Sequence, residues 1–141
     1  MYKRIMVTLD GSKAAEESIP VALALCQKLS AEFFLVQVCE IFAFLKKDRE
    51  AEETVLKEKA TEYLKCIQRL IEPTEINSKS VVLSGRPDVE ICEYAIRNNI
   101  DLIVMTSHGL GGLAGWAIGS VSEKVVKNAN IPVLLVRSKI P

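Results

Sequence analysis

Five of the chain's seven glycines fall in one stretch, Thr106-Ser107-His108-Gly109-Leu110-Gly111-Gly112-Leu113-Ala114-Gly115-Trp116-Ala117-Ile118-Gly119-Ser120. The apolar run Leu102-Ile103-Val104-Met105 before it reads as a buried strand, and Ser120-Val121-Ser122-Glu123 after it reads as a helix start. In that order a strand, a glycine loop and a helix start bring unpaired backbone N–H groups to the positive end of a helix dipole. The chemistry this suits is phosphate binding. Ordering so many glycines costs chain entropy, and close backbone approach to a ligand is the usual compensation; a loop without a ligand is the alternative. Ser120 has a second reading. With Glu123 it has the S-x-x-E spacing of a capping box, which explains the serine with no ligand at all.

Asp10 is the other residue placed for chemistry. It follows the β-rich run ending Thr8-Leu9 and opens Asp10-Gly11-Ser12, a sequence that turns the chain and can cap a helix. If the strands before Asp10 and before the glycine loop are neighbours, the carboxylate faces that loop across a crevice. There it would suit a ribose hydroxyl or a metal held by phosphates; a plain turn and cap is the competing reading. Two familiar phosphate motifs are missing. There is no Gly-x-x-x-x-Gly-Lys-Ser/Thr, and no Gly-x-Gly-x-x-Gly opens the first helix. His108 is the only histidine, with Ser107 as its direct neighbour and no Gly-x-Ser-x-Gly elbow, so a serine triad is unsupported. A general base or a structural hydrogen bond would each account for His108. Trp116 fits packing, a partner contact or a ligand shield equally.

These residues need elements to position them. Tyr2 to Leu9 alternates like a strand, and Ser12 to Leu29 carries a helical stripe through Ala15, Ile19, Ala22, Leu23, Cys26 and Leu29. Phe33 to Val38 is a continuous apolar run, as in a strand covered on both faces. Residues 40–46 form an apolar connection. Lys47 to Ile71 predicts a long amphipathic helix with Ala51, Val55, Ala60, Tyr63, Leu64, Ile67 and Leu70 inward, ended by Glu72-Pro73-Thr74. Asn77 to Leu83 is the third strand. Pro87 then opens a helix running to about Asn98, Ile100 to Thr106 is the fourth strand, Ser120 to Asn128 a helix, and Ile131 to Val136 the fifth strand. Alternating strands and helices predict a single α/β domain over residues 1–141, with a doubly wound parallel sheet and helices on both faces. In such sheets ligands sit beyond the carboxyl ends of the strands, where the winding reverses.

The rest of the composition narrows the function. Lys plus Arg equals Asp plus Glu, so the net charge is zero and no basic stripe argues for nucleic acid. No apolar stretch approaches the ~20 residues that cross a bilayer. No charged-then-apolar leader precedes the first strand, so a cytoplasmic location is expected. The four cysteines form no Cys-x-x-Cys pair. Cys26, Cys66 and Cys92 fall on or near apolar helix faces, which reads as reduced core thiols.

The chain resembles the universal stress protein family from end to end, in its nucleotide-binding branch. That family's signature is Gly-x-x-Gly, nine residues, then Gly-Ser/Thr. Gly109, nine residues and Gly119-Ser120 match it, while Thr106 replaces its first glycine. Ile5-Met6-Val7-Thr8-Leu9-Asp10-Gly11-Ser12, Gly85-Arg86-Pro87, Asp101 to Met105 and Ile131 to Val136 are also similar to family segments. The resemblance implies sheet order 3-2-1-4-5, bound ATP with Mg²⁺ or Mn²⁺ carried by the phosphates, and a homodimer joined through the fifth strands. It places Thr8, Leu9 and Asp10 beside the adenosine and Val38 in the adenine pocket with Met105. It places Gly109 where the backbone meets phosphates, and Gly119, Ser120, Val121 and Ser122 on the phosphate tail. Thr106 weakens such a site if its position needs positive φ. If the backbone there is extended, threonine costs little and its hydroxyl reaches towards the ribose.

The leading expectation is a cytoplasmic, homodimeric ATP-binding module for stress response or regulation, with at most slow hydrolysis or self-phosphorylation at Ser120 or a neighbour. A nucleotide-dependent hydrolase or transferase using Asp10 and His108 is the competing expectation. A third is a family member without ATP that acts through protein contacts.

Overall fold

The computed structural model describes residues 1–108 and 118–140. Gly109 and Trp116 therefore lie outside the described residues. The elements run β1 (Arg4–Leu9), α1 (Lys13–Glu16), α2 (Ser18–Leu29), β2 (Glu32–Cys39), α3 (Lys46–Ile71), a 3₁₀ turn (Glu72–Thr74), β3 (Ser78–Ser84), α4 (Pro87–Arg97), β4 (Leu102–Thr106), α5 (Ser120–Asn128) and β5 (Val133–Val136). The five strands form one parallel sheet in the order β3-β2-β1-β4-β5. The reversal of winding falls between β1 and β4, which carry Asp10 and the start of the glycine loop at their carboxyl ends.

Alternation along the buried strands splits the core in two. Ile5, Val7, Leu9, Phe33, Leu35 and Val104 pack against α2 and α3 through Ala22, Cys26, Leu64, Ile67 and Ile71. Met6, Phe34, Val36, Ile103 and Met105 pack on the other face against Ile91, Tyr94 and Ala95 of α4 and Val125 of α5. Both faces of β1, β2 and β4 are covered, as their unbroken apolar runs require.

Three expectations are corrected. The helix expected over Ser12 to Leu29 is broken at Glu17. Pro20 lacks an N–H, and its ring would strike the Glu16 carbonyl in a continuous helix, so it is tolerated only in the first turn of a new one. The inward stripe of α3 is Ala60, Leu64, Ile67 and Ile71, whereas Ala51, Val55 and Leu70 are exposed. The buried positions of this helix all fall in its second half, and its stripe ends on Ile71 rather than Leu70. Cys66 is exposed too, while Cys26 and Cys39 are buried and Cys92 is partly buried. Burial pushes the Cys26 thiol up to about 11, as suits a small apolar core residue.

Candidate functional site

A cavity of about 940 Å³ opens over the carboxyl ends of β1, β2 and β4. Its floor is Thr8, Leu9 and Asp10 from β1 and the turn after it, Val38 from β2, and Met105 and Thr106 from β4. Its far wall is the start of α5, with Gly119, Ser120, Val121 and Ser122. Every residue singled out for a nucleotide site lines this one cavity, apart from Gly109.

Local bonds explain how these residues are held. Asp10 Oδ1 accepts the Ser12 N–H at 2.9 Å, and Ser12 Oγ accepts the Ala15 N–H at 3.1 Å, so an Asx turn feeds directly into a capped helix. Gly11 between them has φ +86°, a conformation that favours glycine. The turn reading of Asp10-Gly11-Ser12 is thus correct as local structure, and the same Asp10 also lines the cavity.

At the other wall Gly119, not Ser120, is the N-cap of α5, and no side chain caps this helix. The first backbone bond of the helix runs from Glu123 N to Gly119 O at 2.9 Å. The expected capping box is therefore absent. Ser120 is an exposed first-turn residue, and Glu123 instead pairs with Lys127 at 3.2 Å. The N–H groups of Ser120, Val121 and Ser122 precede any possible intrahelical acceptor and stand at the dipole's positive end. Ser120→Ala should accordingly leave the melting temperature unchanged within about 0.5 kcal/mol of stability, as for other surface sites. If Ser120 meets a phosphate, ATP affinity on the folded variant should fall about threefold to tenfold in calorimetry. Equal affinity would remove Ser120 from the site.

Two hydroxyls at this wall are already committed. Ser122 Oγ donates to the Thr106 carbonyl at 2.8 Å, tying α5 to the end of β4. Its backbone N–H, rather than its hydroxyl proton, remains to be offered to an anion. Thr106 closes β4 in extended backbone, and its Oγ1 donates to the His108 carbonyl at 2.9 Å. Threonine therefore carries no positive-φ strain in place of the signature glycine, and its hydroxyl proton is turned to the loop rather than to a ribose.

His108 is buried and does not line the cavity. Its Nδ1 lies 3.4 Å from Ser107 Oγ and its Nε2 lies 3.4 Å from the Ile140 carbonyl. Ser107 Oγ also accepts the Ser138 N–H at 3.3 Å, so this pair fastens the C-terminal segment. The structural reading of His108 is the one the geometry supports. An enzyme using Asp10 and His108 together would lack the second group in the cavity.

The sequence reading missed the wall contributed by α3 and the segment before it. Leu56, Lys59, Ala60 and Tyr63 of α3 line the cavity, as do Phe42 and Gln37. Phe42 and Ala43 are held by the Glu52 carboxylate, which accepts their N–H groups at 3.0 and 3.1 Å. Tyr63 donates to Glu16 at 2.6 Å, and burial together with that carboxylate pushes the phenol pKa up, so the proton stays in place. Lys59 brings a cation to the lining. The helical stripe put Tyr63 inward but gave no sign that α3 overhangs the strand ends. The one available signal for Gln37 was a polar residue interrupting an apolar strand just before its end.

A parallel α/β sheet whose winding reverses beside a cavity at the strand ends, bounded by a glycine-capped helix start, defines the class of doubly wound folds. A family model described as the universal stress protein family matches residues 1–137, and the chain belongs to that family. It is 33% identical to universal stress protein MJ0531 of Methanocaldococcus jannaschii, in an alignment covering 97% of this chain and 83% of that protein. The solved structure of MJ0577, from the same organism, superposes with TM-score 0.87 at 28% identity, covering 100% of this chain and 99% of that one. The universal stress protein from Archaeoglobus fulgidus, solved in complex with dAMP, shares the fold at TM-score 0.70 and 20% identity, over 95% of this chain and 97% of that one.

Proposed function

We propose that this chain binds ATP in the cavity over β1, β2 and β4 and acts as a cytoplasmic, homodimeric regulatory module. The observation that carries the reading is the start of α5. Three backbone N–H groups with no intrahelical acceptor line a cavity that also contains Asp10. A phosphate tail at that helix start would satisfy them, and the sugar and base would extend over the ends of β1 and β2. A protein of the same fold has been solved with dAMP, which agrees with a nucleotide-sized site. Among the described residues no group of three or more His, Cys, Asp or Glu side chains gathers as metal ligands. A Mg²⁺ or Mn²⁺ ion would therefore be held chiefly by phosphate oxygens, with Asp10 as a lining carboxylate on the β1 side.

A binding role is preferred to an enzyme because His108 is absent from the cavity lining. Slow hydrolysis or phosphorylation of the exposed Ser120 remains compatible with the site. Purified protein is expected to release ATP on heating, detected by chromatography, and stripped protein to take it up again in calorimetry. Protein that releases no nucleotide and takes up no ATP would sink the reading in favour of a member acting through protein contacts alone.

The dimer rests on β5. It is an edge strand of the sheet, and Ile103 N and Ser107 N bond the carbonyls of Pro132 and Val136. Alternate residues in a parallel ladder face opposite neighbours, so Val133 and Leu135 present their backbone groups to the open edge. An apolar open edge invites pairing, and pairing with its own copy about a twofold axis closes the assembly. Pro132, just before the strand, fits this arrangement. Val133 and Leu135 side chains pack into the core, whereas Leu134 is 38% exposed. The parent is expected to show a dimer mass by light scattering at micromolar concentration, and Leu134→Lys to shift it towards monomer. A monomeric parent would remove the dimer from the proposal.

A further inference from the structure

Among the described residues Lys59 is the only cationic side chain that lines the cavity. The stretch from Gly109 to Ala117 contains no Lys, Arg or His, so the glycine loop can add none. Among the described residues Lys59 also makes no ion pair and no side-chain hydrogen bond. Its own helix offers no acid one turn away, since Val55 and Tyr63 stand four residues before and after it. Lys57, close by in the chain, is paired instead, to Glu53 at 3.0 Å. An exposed lysine on a helix is ordinarily a solvated surface charge. This one stands on the wall of the cavity proposed to hold a polyanion.

The fold fixes where that charge faces. Tyr63, one turn along the same face of α3, reaches Glu16 of α1 at 2.6 Å. Because α1 follows β1, this face of α3 looks across the end of β1. Burial raises the Tyr63 phenol pKa, and the carboxylates of Glu16 and Asp10 raise it further, so Asp10 lies within electrostatic reach of the same face. The next strand is β4, about 4.8 Å from β1, with the start of α5 beyond its end. A lysine carries its ammonium on a flexible four-carbon stem. From opposite faces of the sheet, Lys59 and the start of α5 thus flank the space over β1 and β4.

A triphosphate carries more charge than the helix start alone can balance. The positive end of a helix dipole is worth about half an elementary charge, and its leading N–H groups suit one phosphate group. The chain has no phosphate-loop lysine to meet the others. Resting on the nucleotide reading above, we infer that the Lys59 ammonium pairs with the outer phosphates of the bound nucleotide, across the cavity from α5. Lys59 thereby favours a nucleoside triphosphate over the monophosphate. It supplies from a separate helix the cation that a phosphate loop carries in its own sequence.

The experiment titrates nucleotide-stripped parent, Lys59→Met and Lys59→Arg with ATP and with AMP in calorimetry, with Mg²⁺ present, at low and at raised salt. Thermal denaturation without nucleotide is run alongside. The parent is expected to bind ATP about tenfold more tightly than AMP, the worth of one charge-assisted hydrogen bond. Lys59→Met should lose about tenfold in ATP affinity and less than about twofold for AMP. Its ATP binding should also depend less on salt than the parent's, since an ion pair has been removed. Its melting temperature should stay within about two degrees of the parent's, as for an exposed side chain. Lys59→Arg keeps the charge and should hold ATP affinity within about threefold of the parent. Full ATP affinity in Lys59→Met, equal losses for ATP and AMP, or a parent with no preference for ATP overturns the role of Lys59 while leaving nucleotide binding intact. A parent that binds neither nucleotide overturns the nucleotide reading itself, and this inference with it.

Discussion

Gly119→Val is expected to lower ATP affinity at least tenfold and to destabilise the protein at the same time. A Cβ at Gly119 would stand 3.2 Å from His108 Cα and 3.3 Å from the Ser107 carbonyl oxygen. Both are backbone atoms and cannot rotate away. Gly119 N also donates to that same oxygen at 2.6 Å, so the two ends of the glycine loop touch here. A branched side chain would separate them and move the start of α5. Overpacking of this kind costs about 1–3 kcal/mol, a melting shift of roughly 3–10 °C for a chain of this size. Each lost N–H bond to a charged oxygen is worth about 1.5–3 kcal/mol, and so at least about a factor of ten in binding. Calorimetry on the folded variant below its melting point checks the second effect separately from the first. A variant that melts lower yet binds ATP like the parent would assign Gly119 to loop packing alone.

Asp10 gives the other large expected effect, and two substitutions divide its roles. Asp10→Ala removes the acceptor of the Ser12 N–H as well as the carboxylate in the cavity. It should lower stability by about 0.5–1.5 kcal/mol and ATP affinity about tenfold or more. Asp10→Asn keeps a side-chain oxygen for the turn, so its stability should stay close to the parent's while ATP affinity still falls. Unchanged affinity in both variants, measured by calorimetry with Mg²⁺ present, would confine Asp10 to the turn.

Some of this protein is written in local sequence patterns. The alternation of strand and helix, the covered strands and the helix Ser120–Asn128 follow from periodicity and from where glycine and proline fall. So does the convergence of Asp10 and the glycine loop, because a doubly wound sheet brings the ends of β1 and β4 together. Pro20 was also visible, yet the apolar stripe on both sides of it outweighed it in reading one helix where there are two. The chain order β3-β2-β1-β4-β5 came with family resemblance rather than from any pattern in the residues.

What the tertiary structure alone decided concerns partners far apart in the chain. Ser120 has the spacing of a cap, but the close approach of Gly119 to Ser107 starts the helix one residue earlier and leaves Ser120 exposed. Ser122 looked like a phosphate ligand, and its hydroxyl is bonded to Thr106 across the loop. His108 looked available for catalysis until the C-terminal segment folded over it. The overhang of α3, with Lys59 and Tyr63, gives the cavity its second wall. The physical reason is the same throughout. Periodicity reports which face of an element is apolar, but a polar group's role depends on which donor or acceptor reaches it, and chain closure fixes that only when the elements pack.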